Sequence, residues 1–143
     1  AYSWAVQVGI SEASGYLADT FNTMEKYFWD PQAGLYKDQY NGDFSICDPY
    51  RGQNANMHTC EALIAAYEAT KDARYLERAM LLADNMVNRQ ASLMDGLIWE
   101  HYDLQWQPDL EYNKNDPKNL FRPWGFQPGH QTVKNISGYK LKL

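Results

Sequence analysis

Cysteine is scarce in this chain: Cys47 and Cys60 are its only thiols. Two cysteines do not make a disulfide framework, and their spacing is not that of a CxxC redox or metal motif. Two reduced thiols in a cytoplasmic protein is the simplest reading. Positive charge is also thin. Thirteen Lys and Arg stand against 18 Asp and Glu, for a net charge of −5. The basic residues are scattered, with a mild bias to the last ten positions, so the electrostatic footprint of a nucleic-acid binder is missing. No apolar run approaches the length of a membrane span, and no signal-peptide pattern is present. A glycine-rich phosphate loop and a nucleophile elbow are absent too, which removes the commonest signatures of nucleotide binding and serine hydrolysis.

Aromatic and neutral polar side chains are what the sequence has in quantity. At 143 residues and 45% apolar composition it fits one domain, 1–143, with a real core. It carries eleven Tyr and five Trp. Such rings bury large areas in a core, and their flat faces and polar tips also suit sugar rings.

Hydrophobic periodicity predicts a helix over 11–28. Leu17, Phe21, Met24 and Phe28 form one stripe, Ser11 is the candidate cap, and Asp30-Pro31 ends it. Residues 31–49 read as turns with short strands at Leu35-Tyr36 and Phe44-Ser45-Ile46. A second helix is expected over 56–69, with Leu63, Ala66, Tyr67 and Thr70 on one face. A third is expected over 73–89, with Asp72 as cap and Leu76, Met80, Ala83 and Val87 as its stripe. The link between them is so short that they should pack antiparallel. Residues 96–102 read as a strand. Residues 103–129 hold four prolines and no helical period, and a last helix begins near Gly129-His130. The class is mostly α, with helical hairpins whose loops, some of them short β-hairpins, are elaborated on one face.

The chemistry concentrates around three histidines. His58 follows Arg51, Gln53, Asn54 and Asn56 at the start of the second helix, His130 opens the last helix, and His101 adjoins Glu100 on the short strand. A helix N-terminus carries about half a positive charge. That disfavours an imidazolium and keeps such a histidine neutral, able to act as a general base. A histidine there can equally be structural, and Asn54 or Asn56 can simply be the N-cap. One asparagine suffices for a cap, however. Two, with Arg51 and Gln53 beside them, suggest a pocket of neutral donors and acceptors for hydroxyls. The His58–Glu61 pair shares a helix face as metal ligands do, but carboxylate metal sites need several such pairs and only one is present.

Three blocks carry a family resemblance: "RGQNANMHTCEALIAAYEAT" (51–70), "WEHYDLQWQPDLEYNKNDP" (99–117) and "FRPWGFQPGHQT" (121–132). They resemble the N-acylglucosamine 2-epimerase family, and within it the branch of mannose and sulfoquinovose aldose–ketose isomerases. The resemblance implies a cytoplasmic (α/α)6 barrel with a sugar pocket at one end, present here in part. It implies an aldose such as mannose interconverted with its ketose through a cis-enediol, with a monosaccharide as the partner and no metal, cofactor or nucleotide. By position, His130 matches a family catalytic histidine. His58 and Asn54 match sugar-contacting positions, with His58 the second histidine of the candidate catalytic pair. Trp124 is placed by the pocket, and Arg51 in the same substrate-binding group, where it orders the loop.

The chain also departs from that pattern. Family members run to several hundred residues, so this sequence reads as an interior portion, lacking an early arginine-bearing segment and a late second catalytic histidine. After His130 the family carries an acid that partners the histidine, and then a Trp. Here Val133 and Lys134 stand in that stretch, and the tail 133–143 is atypical. Reduced activity follows as an expectation. So does low stability, or homo-oligomerisation, through helix faces left bare. A non-catalytic sugar-binding or structural fragment of the same fold, and a sugar 2-epimerase, are the alternatives. A glycoside hydrolase would need two carboxylates facing across a cleft, with Glu61, Glu100 and Asp109 as candidates.

Overall fold

The computed structural model describes residues 1–131; Val133, Lys134 and the rest of the 133–143 tail lie outside the described residues. The chain begins with α1 (Tyr2–Gln7) and α2 (Ala13–Thr23), which continues as a wider π turn, Met24–Phe28. Leu17, Phe21, Met24 and Phe28 pack against the core, as their spacing requires. Ser11 is not the cap. Glu12 holds that position without a side-chain cap bond, and the Ser11 hydroxyl is taken up by the Glu12 carboxylate at 2.9 Å. Trp29 breaks into extended backbone. Asp30 Oδ1 then accepts the Gln32 and Ala33 amides at 3.1 and 3.2 Å, and the chain reverses.

That reversal joins β1 (Trp29–Asp30) to β2 (Leu35–Tyr36), antiparallel with Trp29 opposite Tyr36. Gly34 makes the turn possible: its φ is +63°, and a Cβ there would lie 2.3 Å from the Asn85 amide nitrogen. That amide donates to the Gly34 carbonyl at 2.9 Å. Phe44-Ser45-Ile46 forms no strand. Phe44 takes a left-handed φ of 59°, and the Asn41 side chain captures the Ile46 amide at 2.9 Å. Only an isolated bridge, Tyr40 to Cys47, remains.

β3 (Arg51–Gly52) leads directly into α3 (Gln53–Thr70), which starts three residues earlier than periodicity suggests. Its first amide is held from outside, Gln53 N donating to the Glu100 carbonyl at 3.1 Å. Neither Asn54 nor Asn56 caps it, because the N-cap is Gly52. Asp72 caps α4 (Ala73–Asp84) as expected, accepting the Arg74 amide at 3.0 Å. A second π turn, Asn85–Gln90, extends α4. α3 and α4 pack more extensively than any other two elements. Their two-residue link, the Cys60–Ala79 contact at 3.6 Å and the meeting of Asn56 with Met86 around one cleft make them antiparallel.

The buried face of α4 is not the expected one. Tyr75, Ala79, Leu82 and Met86 are buried, Leu76, Ala83 and Val87 only half so, and Met80 is exposed. Both sets have helical spacing, and tertiary packing selected the neighbouring stripe. The core joins these residues to Leu35, Tyr36, Leu63, Ala66, Trp99 and Tyr102.

β4 is shorter than expected, only His101–Tyr102, and pairs antiparallel with β3, Arg51 opposite Tyr102 and Gly52 opposite His101. Residues 103–127 then form turns without helix or strand, and a helical turn begins at 128. Both two-stranded sheets and the long loop gather where α3 begins and α4 ends, opposite the Lys71–Asp72 link. The architecture is therefore mostly helical, with one short β-hairpin and one long-range antiparallel strand pair at one end. The described residues do not close a barrel. No helix among them is long and apolar enough to cross a membrane. Trp4, Val8, Leu120 and Phe121 are exposed apolar side chains.

Candidate functional site at the start of the third helix

The first turns of α3 present two polar faces. One points inward. Asn56 is fully buried and takes the Tyr36 amide on its Oδ1 at 2.7 Å, while its Nδ2 donates to the Tyr36 and Gly52 carbonyls at 3.0 and 2.9 Å. Gln53, also buried, lies beside the Glu100 carboxyl and favours its ionised form. The other face points to solvent. Asn54 and His58 lie four residues apart on it, both exposed. His58 Nδ1 meets the Glu61 carboxylate at 2.9 Å in an open i,i+3 pair. His58 is the sixth residue of α3, beyond the first turn in which the helix dipole acts.

His130 reaches the inward face. Its Nδ1 lies 3.0 and 2.9 Å from the two oxygens of Glu100. Glu100 is itself buried, and burial raises its carboxyl above the usual range against the opposing pull of His130, the Gln127 backbone and Gln53. His130 borders a cleft of about 30 Å³ with Gln53, Asn56, Met57, Cys60, Met86 and Ile98 among its walls. That is space on the scale of water rather than of a sugar ring. Cys60 in its wall is a thiol at neutral pH, pushed up to about 11 mainly by burial.

The sequence-expected residues therefore divide. His130 shares its cleft with Gln53 and Asn56. His58 and Asn54 lie one step around the same helix, outside that cleft, so the two candidate catalytic histidines are not brought into one cavity by the described residues. Arg51 is buried, with Nη1 donating to the Asp48 and Tyr50 carbonyls at 2.7 and 2.8 Å and its plane 6.0 Å from the Trp106 ring. Its guanidinium is held by these loop carbonyls and does not border the cleft beside His130. Trp124 packs edge-on against Trp99 at 5.6 Å and donates to the Leu110 carbonyl at 2.8 Å. The carboxylates a glycoside hydrolase would need are not paired: Glu61 is on the outer face of α3, Glu100 is under His130, and Asp109 caps a turn through the Glu111 and Tyr112 amides. No group of three or more His, Cys, Asp or Glu is gathered as a metal site among the described residues.

Glu100 and His101 escaped the sequence reading as a pair of anchors. Burial holds the His101 imidazole below its usual pKa, so it is neutral. The Tyr50 hydroxyl lies 2.9 Å from its Nδ1, and its Nε2 lies 2.8 Å from the Pro123 carbonyl. A carbonyl only accepts, so Nε2 donates and Nδ1 accepts. Beneath Tyr50 sits Asp38, which takes the Gly52 amide at 2.7 Å. Gly52 admits no side chain here, since a Cβ would lie 2.7 Å from the Tyr50 hydroxyl and 2.8 Å from Asp38 Oδ1.

Burial pushes Asp38 up to about 7. A folded-state pKa raised above the unfolded value of about 3.9 means the folded chain holds its proton longer. The contribution of this carboxyl to stability is then fully present below about pH 4, falls as pH rises towards 7, and levels off above it. Asp38→Asn keeps an acceptor for Gly52 without the ionisation. Urea unfolding should show the variant more stable by on the order of 2 kcal/mol at pH 8, with the gap closing by pH 4. An equal gap at both pH values would assign the effect to something other than this carboxyl.

A model of the family described as N-acylglucosamine 2-epimerase (GlcNAc 2-epimerase) matches residues 1–133. A D-mannose isomerase of Marinomonas mediterranea is 56% identical over 133 residues, 92% of this chain and 34% of that protein. One from Pseudomonas cannabina pv. alisalensis is 35% identical over 130 residues, covering 91% of this chain and 31% of the relative. A crystal structure of D-mannose isomerase superposes with a TM-score of 0.96 at 52% identity, over 99% of this chain and 36% of that one. The chain thus spans about a third of the length of the relatives it matches.

Proposed function

The chain belongs to the N-acylglucosamine 2-epimerase family, and on that premise we propose that it supplies part of the active site of an aldose–ketose isomerase acting on mannose or a closely similar aldose. In this reading His130 is the acid/base group. It takes the proton from C2 of the open-chain sugar while the C1 carbonyl oxygen gains one, giving the enediol; return of a proton to C1 as the C2 hydroxyl gives up its own completes the ketose. His58 and Asn54 contact sugar hydroxyls from the exposed face of α3, which further barrel helices enclose in a longer chain of this family. Arg51 and the Trp99–Trp124 pair hold the loops that shape the rim. The reaction is redox-neutral overall and calls for no cofactor, and a cytoplasmic enzyme fits it.

The observation that carries the reading is the His130–Glu100 contact against the start of α3, in a chain 56% identical to a D-mannose isomerase over 133 residues. The small cleft and the exposed His58 support a further point: this chain alone is a weak catalyst. A positioned acid/base supplies roughly 10²–10⁴-fold in rate. Assayed for fructose formation from mannose, the 143-residue chain is expected to fall at least about 10²-fold below the Marinomonas mediterranea enzyme. Equal turnover would refute the idea that the remaining two thirds of such enzymes complete the site.

A further inference from the structure

We infer that Glu100 is the positioning residue that fixes the tautomer and direction of the His130 imidazole, leaving Nε2 as the nitrogen that exchanges protons. The inference rests on the isomerase reading only for what that nitrogen then does. The orientation itself rests on geometry. Both oxygens of Glu100 lie within 3.0 Å of Nδ1. At a pH where the carboxyl is ionised it can only accept, so a neutral imidazole beside it carries its proton on Nδ1. Nε2 then keeps its lone pair, as a general base requires.

Glu100 is fit to impose this because it is itself held. It is 4% exposed, with the Gln53 side chain and the Gln127 backbone close enough to favour its ionised form, and its own carbonyl takes the Gln53 amide at 3.1 Å. The segment bearing His130 is pinned to the same stretch of chain at two further points. Gln131 brackets Ile98, accepting its amide at 3.1 Å and donating to its carbonyl at 2.8 Å. His101 Nε2 donates to the Pro123 carbonyl at 2.8 Å. Residues 98–101 are thus a fixed edge along which 123–131 is hung, with Glu100 facing the imidazole. The family resemblance places an acid shortly after His130, where this chain has Val133. The acid that meets His130 comes instead from 30 residues before it.

The test reads the imidazole directly. Long-range proton–nitrogen correlation spectra of the 15N-labelled chain at pH 8 report which ring nitrogen of each histidine carries the proton, and His→Gln variants at 58 and 101 assign them. The wild-type chain is expected to show His130 protonated on Nδ1. Glu100→Gln replaces an obligatory acceptor by a carboxamide that can also donate, so the Nε2-protonated form should become the majority. Gln131→Ala loosens the clamp but leaves Glu100, and should keep the Nδ1 form. A wild-type His130 protonated on Nε2 overturns the inference, and so does a folded Glu100→Gln chain with an unchanged spectrum. If Glu100→Gln fails to fold, the wild-type spectrum decides alone. No sugar enters the measurement. Absent mannose turnover with an Nδ1-protonated His130 would count against the isomerase reading and leave the role of Glu100 standing.

Discussion

Asn56→Ala is expected to cost about 3 kcal/mol or more of folding stability, a large share of what a domain this size possesses. The side chain is fully buried and makes three hydrogen bonds, one from the Tyr36 amide and two to the Tyr36 and Gly52 carbonyls. Alanine leaves the Tyr36 amide and carbonyl without partners in the interior and removes one of the bonds to the Gly52 carbonyl, and each orphaned group costs about 1–3 kcal/mol. The two ends of the bracket lie on different elements, the β1–β2 hairpin and the entry to α3. Their loss should therefore loosen the hairpin as well as the helix start. Asn56→Asp sharpens the point. A carboxylate accepts the Tyr36 amide but cannot donate to either carbonyl, so at pH 8 it should do no better than alanine, and it should recover partly when protonated near pH 4. Urea midpoints with an unchanged m value would give the sizes. A loss under about 1 kcal/mol for both variants would mean that the bracket is not what ties the hairpin to α3.

The second large effect concerns rate. Within a full-length enzyme that carries residues 1–131 of this chain, His130→Asn should lower kcat by about 10²–10⁴-fold, the range a positioned acid/base supplies. Asparagine keeps a hydrogen-bonding contact to Glu100 but cannot shuttle a proton. His58→Asn is expected to act differently, raising KM more than it lowers kcat, because His58 stands on the exposed face of α3 with Asn54 and is assigned to hold hydroxyls. The two profiles separate a proton carrier from a binding contact. Similar losses in kcat for both would make His58 a second proton carrier.

Local pattern was readable in the sequence wherever one neighbour or one helical turn decides the outcome. The stripe from Leu17 to Phe28 and the Asp72 cap on α4 are of that kind. Where a distant contact decides, the sequence was silent. α4 is apolar on two adjoining sides, so spacing alone could not prefer Tyr75, Ala79, Leu82 and Met86 over Leu76, Met80, Ala83 and Val87. Asn56 looked like a cap because asparagine favours that position, but a backbone bracket 20 residues away claimed it. α3 starts early because Asp38 and Glu100 hold the first amides, and that moves His58 out of the first turn. The Glu100–His130 contact spans 30 residues. Position at a helix start and the resemblance both pointed to His130, the resemblance supplied the family, and only the fold supplied the acid beneath it.

On the proposed function, residues 1–131 form the His130-bearing part of an aldose–ketose isomerase site. The most direct measurement is mannose turnover by the Marinomonas mediterranea D-mannose isomerase after its matching third is replaced by these residues. The expected result is a folded chimera that converts mannose to fructose, with turnover abolished by His130→Asn. A folded chimera that leaves mannose unchanged, or one that keeps full activity after His130→Asn, would contradict it.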